Sequence, residues 1–172
     1  MLTRNRLLSY LLFAVGVAVL TGTVLYYLHI SQTESSASED NIPQVVADLP
    51  MEQLIVGQEA IKNIHQLHGK DFPLEAGAVA VYAEQNVILW VSDTGSISAA
   101  ADLTELMKVR IAEGRSPFVA LGDFELDGLT IYALDGLGQA HYYWQAGKLV
   151  LWLAADVEIA ERAMSEVTEY CR

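Results

Sequence analysis

The densest group of side chains able to recognise a ligand is His141-Tyr142-Tyr143-Trp144-Gln145. On a strand, alternation sends His141, Tyr143 and Gln145 to one face and Tyr142 and Trp144 to the other. If one set packs beneath helices, the other is left as an aromatic platform for a partner or a small ligand. The same residue types also fill ordinary sheets, because Tyr and Trp suit a pleated, half-buried surface. His141, Tyr143, Trp144 and Gln145 are therefore the candidate ligand or partner residues.

The remaining chemistry-bearing groups give less. His65 and His68 lie three apart on one helical stretch, but no HExxH pattern surrounds them and no third metal ligand is fixed nearby. In a last helical turn an imidazolium instead complements the carbonyl end of the dipole. Asp123-Phe-Glu-Leu-Asp-Gly128 resembles the start of an EF-hand loop. Leu134 stands where the closing bidentate Glu belongs, and both flanks read as strands. Gly136-Leu-Gly138 lacks the Lys and the downstream helix of a phosphate cradle, so it reads as a turn. There is no Gly-x-Ser-x-Gly, and the single cysteine, Cys171, sits at the tail. No catalytic residue, metal site or cofactor is expected.

The elements that would position these groups follow from periodicity and punctuation. Gln53–Val56 reads as a short strand and Gln58–His68 as a helix ended by Gly69. Residues 78–83 and 87–92 read as two strands around a polar turn. Ser98 is the expected N-cap of a helix over 99–113, stopped by Gly114 and Pro117. Strands over 118–126 and 129–134 flank Asp127-Gly128, a strong hairpin signal. Strands over 140–145 and 149–154 come next. Asp156 then caps a last helix whose face is Val157, Ala160, Met164, Val167 and Cys171.

Ile88-Leu-Trp-Val-Ser92 matches Val150-Leu-Trp-Leu-Ala154, which suggests a duplicated ββα unit. The fold class is α+β: a mostly antiparallel sheet of about five to seven strands and three helices, packed on one face. The strand over 149–154 is apolar on both faces, so it should be central.

Charge is distributed unevenly. All 22 acidic residues and 8 of the 10 basic ones follow Ile30, a net of −14 over that part. Such a surface repels phosphate backbones, so nucleic acid is excluded as a partner.

From Leu7 to Ile30 no residue is charged, and at ~1.5 Å per residue the run is long enough to cross a bilayer core of ~30 Å. Arg4 and Arg6 precede it, and no Lys or Arg follows until Lys62, which puts residues 1–6 in the cytoplasm and the rest outside. Leu7, Tyr10, Gly16, Gly22, Tyr26, Tyr27 and Ile30 belong to this anchor, the tyrosines at its interfaces. A cleaved signal peptide fits less well, since its apolar core would be shorter. Ala14, Ala18 and Gly22 form a small-residue ridge that could support a weak homodimer, although Ala and Gly are common in any membrane helix.

Residues 31–50 read as a flexible polar linker, leaving 51–172 as the outer domain. The expected function is a single-pass, membrane-anchored protein. Its extracytoplasmic domain is a non-catalytic interaction or sensing module, with lipid contacting the anchor and a protein as partner. A tethered small-ligand binder and a tethered hydrolase using His65, His68 or His141 are the alternatives.

Overall fold

The computed structural model describes residues 20, 42–68 and 72–171, with no side-chain description at 67 and 68. The expected membrane-spanning residues, 7–30, lie outside this set except for Leu20, as do residues 31–41 of the expected linker. Among the described residues no helix is long and apolar enough to cross a membrane. The chain divides into two units, Met1–Ser36 and Ala37–Arg172, and the fold is that of the second.

In that unit the described residues form eight strands and three α-helices. In chain order they are β1 (Val45–Val46), β2 (Leu49–Val56), α1 (Gly57–His68), β3 (Ala76–Tyr82), β4 (Val87–Asp93) and α2 (Ile97–Ala112). Then come β5 (Val119–Leu126), β6 (Leu129–Gly136), β7 (Gln139–Ala146), β8 (Leu149–Ala155) and α3 (Ala160–Tyr170). All strands pair antiparallel in one sheet of order β1-β2-β3-β4-β8-β7-β6-β5. The α+β class with an antiparallel sheet and three helices agrees with the sequence reading, while the strand count exceeds the expected five to seven.

The strand missing from that expectation is β1. Pro43 and Pro50 read as linker punctuation, yet Val45 pairs with Pro50 and Val46 with Leu49 across a tight turn at Ala47-Asp48. Both turn residues take left-handed φ, 53° and 63°. Ile42 and Val46 are fully buried, and the Tyr82 hydroxyl donates to the Pro43 carbonyl at 2.7 Å. The Ala47 N–H donates to Glu166 of α3 at 2.6 Å, and Arg162 of α3 pairs with Asp48. Folded structure therefore begins ahead of Met51, and β2 begins at Leu49 instead of Gln53.

Two helix starts also move. Ser96, not Ser98, caps α2: its backbone is extended, and its Oγ accepts the Ala99 N–H at 3.2 Å. Asp156 does not cap α3, because its carboxylate accepts from Gln139 Nε2 at 3.1 Å instead. A turn over 157–159 follows, and it leaves Val157 exposed. The buried stripe of α3 is Ala160, Ala163, Met164, Val167 and Thr168, continued by Cys171 just past the helix end. Burial there pushes the Cys171 thiol up to about 12, which makes it a small apolar filler at neutral pH.

Helices cover both faces of the sheet, not one. β8 sits between β4 and β7 at the centre, and it is apolar on both sides, so each side must be shielded from water. Leu149, Leu151, Leu153 and Ala155 pack with Leu89, Val91, Trp144 and the stripe of α3. Val150 and Trp152 point the other way, toward Leu103, Met107 and Ile111 of α2. On that second face Ala60 and Ile64 of α1 pack with Val79, Ile88 and Trp90. The two matching segments of the chain pair with each other, Trp90 opposite Trp152, but the helices that follow them lie on opposite faces.

Candidate functional site

Register builds a row of rings across the face shared by α1 and α2. Tyr132 of β6 lies opposite Tyr143 of β7, Tyr143 opposite Trp152 of β8, and Trp152 opposite Trp90 of β4. Cross-strand pairs on one face sit close enough for rings to touch. Tyr132 and Tyr143 stack at 4.7 Å between centroids, and Tyr143 and Trp152 at 5.5 Å, both pairs inclined by 13°. The Lys108 ammonium lies 5.4 Å from the Tyr132 centroid and ends the stack with a cation. Tyr143 is buried inside this stack, and burial raises its pKa well above that of a free phenol.

His141 is fixed at both ring nitrogens. Trp152 Nε1–H donates to Nδ1 at 3.1 Å, so Nδ1 carries no proton. Nε2–H then donates to the Gly136 carbonyl at 3.0 Å. Burial pushes the His141 pKa down, against smaller raising effects of the Gly136 bond and of Asp135. A neutral ring with both nitrogens engaged is a strut rather than a general base. Phe118 rests edge-on against this ring, 4.7 Å between centroids, and tilts over Trp152 at 5.0 Å. Gly136 allows that approach: a Cβ there would lie 2.6 Å from the Phe118 ring and 3.0 Å from the Pro117 carbonyl.

A cleft of about 270 Å³ opens between the two helices of this face. Its floor is Trp90, Ser92, His141, Val150 and Trp152. Ile64 forms one wall, and Leu103, Met107, Arg110 and Ile111 of α2 form the other. Arg115, Ser116, Pro117, Phe118 and Leu137 close one end. The cleft exists because two indole rings lie side by side on the floor while α1 and α2 straddle them. Ser92 is buried and brings a hydroxyl to this otherwise mostly apolar floor.

Two features of the lining are unusual for this molecule. Among the described residues it contains two arginines and no Asp or Glu, in a chain whose part after Ile30 carries a net −14. Arg115 pairs with Glu113 at 3.3 Å, whereas Arg110 makes no ion pair among the described residues. Leu137 is 74 % exposed at the tip of the β6–β7 turn and holds φ 52°, a left-handed conformation that costs a branched side chain about 1–2 kcal/mol. Asn or Gly would relieve that strain. A strained, exposed leucine at the mouth of an apolar cleft is the kind of outlier that points to a site.

The four candidate residues do not form one cluster. His141 lines the cleft, and Tyr143 lies next to it within the ring stack. Gln145 is on the same face, but its Nε2 donates to the carbonyls of Ile97 at 2.9 Å and Gly147 at 2.8 Å, which fastens the start of α2. Trp144 faces α3, fully buried, and its Nε1–H has no acceptor among the described residues.

Of the histidine pair on α1, His65 bonds through Nε2 to the Phe72 carbonyl at 2.9 Å, and the side chain of His68 lies outside the described residues. Among the described residues no group of three or more His, Cys, Asp or Glu is gathered to hold a metal. The sequence reading missed Trp90, Trp152, Arg110 and Leu137. Only the repeated Leu-Trp dipeptide and the Gly-Leu-Gly turn hinted at them.

Comparison with protein-family models, with curated proteins and with solved structures finds no match to this chain.

Proposed function

We propose that this chain is a single-pass membrane protein whose outer domain is a non-catalytic sensing module that takes up a small apolar ligand in the Trp90–Trp152 cleft. The cleft carries the reading. It is concave and mostly apolar, and it is bordered by a few polar groups, which is the usual build of a small-molecule site. The state of His141 supports a binding role over a catalytic one, since neither ring nitrogen is available to take a proton from a substrate. The membrane placement rests on the uncharged run 7–30 and on Arg4 and Arg6 at one side of it only.

Two experiments test this. Calorimetric titration of octanoate and of its neutral counterpart octanamide into the full chain in lipid nanodiscs, with empty discs as blank, should give saturable heat. Met107→Trp, which fills the cleft, should remove it. No heat from either compound with the wild-type chain would end the ligand reading. Protease added to intact cells should cleave the domain, and protection of the domain would overturn the topology.

A second reading, a protein-docking domain, draws on β5. Among the described residues this eight-residue edge strand pairs only with β6, and it exposes Val119, Leu121 and Phe124. An open edge of that length can accept an added strand. Leu121→Lys should release a partner recovered by crosslinking in membranes, and an unchanged crosslinking pattern would count against this reading.

A further inference from the structure

On the reading that the cleft takes a small ligand, we infer that the ligand is an amphipathic anion: an apolar body over the indole floor and one carboxylate facing Arg110. The charge of the lining carries this. The domain surface is strongly acidic, yet the only charged groups lining the cleft, among the described residues, are Arg110 and Arg115. Arg115 is mostly exposed and pairs with Glu113 at the rim, whereas Arg110 is half-buried beside the apolar wall, so Arg110 is the guanidinium placed to meet a ligand. A guanidinium beside an apolar, partly dehydrated wall binds a carboxylate through paired, charge-assisted hydrogen bonds, whereas a neutral head group gains far less. A cationic ligand would face repulsion at the same point.

The shape sets the length of the body. Along the strands the lining runs from Ser92, opposite Val150, to His141, opposite Ala154. Four residues of strand span roughly 13 Å. Arg110 is in the last turn of α2, next to the segment 115–118 that packs on His141. The head group therefore sits at the His141 end and the tail runs toward Ser92. Leu137, held out at the same end, covers the first carbons of the tail.

The test is the ratio of two affinities. Octanoate and octanamide share a tail and differ in charge. With the full chain in lipid nanodiscs, octanoate should bind at least tenfold more tightly than octanamide. In Arg110→Gln that ratio should fall to about one, with octanamide affinity unchanged, which separates a lost charge from a lost fold. Raised salt should lower the ratio in the wild-type chain. Equal affinities in the wild-type chain, or an unchanged ratio in Arg110→Gln, would overturn the carboxylate assignment and leave the cleft reading standing. Absence of binding by both compounds would instead end the cleft reading and this inference with it.

Discussion

Leu151 and Trp152 are neighbours in sequence, and they show how differently the two faces of one sheet are finished. Toward α3 the sheet offers Leu149, Leu151, Leu153 and Ala155, and α3 answers with Ala160, Ala163, Met164 and Val167. Alanines let the helix lie close, and the aliphatic groups interdigitate. No residue of α3 lines the cleft. Toward α1 and α2 the same strand offers Val150 and Trp152, with Trp90 and Tyr143 beside them. Flat rings pave that floor, and the two helices leave a gap above it. Packing is close on the first face and incomplete on the second, where the proposed ligand cleft lies.

The most direct way to break that contrast uses two methionines buried to the same degree. Met164 on α3 and Met107 on α2 are each 6 % exposed. Met164→Ala should cost about 2–5 kcal/mol, because it opens a cavity in a closed core. Met107→Ala should cost at least about 1 kcal/mol less, since the space it opens joins a cleft already there. Urea unfolding of the two full-length variants measures both, and equal losses would remove the distinction between the faces.

Two of the three indoles, one on each face, sharpen it. Trp152→Phe removes the donor to His141 Nδ1 and should cost about 1–3 kcal/mol beyond its lost area. Trp144→Phe removes an N–H that has no acceptor among the described residues, so the relief offsets part of the lost packing. The same unfolding assay should rank Trp152→Phe as the costlier, and the reverse order would contradict the roles assigned to the rings.

Leu137 separates stability from function. Leu137→Asn should raise stability by about 1 kcal/mol, as a left-handed position passes to a residue that tolerates it. It should weaken octanoate binding at the same time. A loss of stability would show that the leucine's contacts outweigh its strain.

The smallest effect is on pH. The pKa of His141 in the folded chain lies below its ordinary value of 6.5, mainly through burial. The unfolded chain therefore takes up the proton more readily. Stability through this group should be flat above about 6.5 and fall as the pH drops from there toward the folded value. His141→Gln should lose that component of the slope, which melting curves between pH 7.5 and 5 would record.

Much of this fold is legible in local signals. Asp127-Gly128 marks the β5–β6 hairpin, and the run 149–154, apolar on both sides, marks the central strand. A strand apolar on both sides also needs cover on both faces, a consequence that the expectation of helices on one face does not include. β1 was illegible because two residues carry no periodicity, and Pro43 and Pro50 mimic a linker.

The site was only partly legible for a similar reason. Alternation placed His141 and Tyr143 on one face and Trp144 on the other, which is where they lie. The floor needs Trp90 and Trp152, which are 62 positions apart and adjoin only through the β4–β8 register. Arg110 becomes notable only once the described residues lining the cleft around it are seen to include no carboxylate. Facts of that kind belong to tertiary register and not to any window of sequence.

If the chain is anchored ahead of residue 37 as proposed, the short β1 hairpin also has a mechanical side. Under the proposed anchoring, a tug on the N-terminal side would meet the described fold at Ile42 and reach β1 before the rest of the sheet. Its holdfasts are the Tyr82–Pro43 bond, the Met51–Gln44 backbone bond, and the Ala47–Glu166 and Asp48–Arg162 links to α3. These would open in succession, like a zip, and spare the β4–β8 seam on which the cleft floor is laid. The clasp would serve as a strain relief between a moving membrane and a floor that must stay in register.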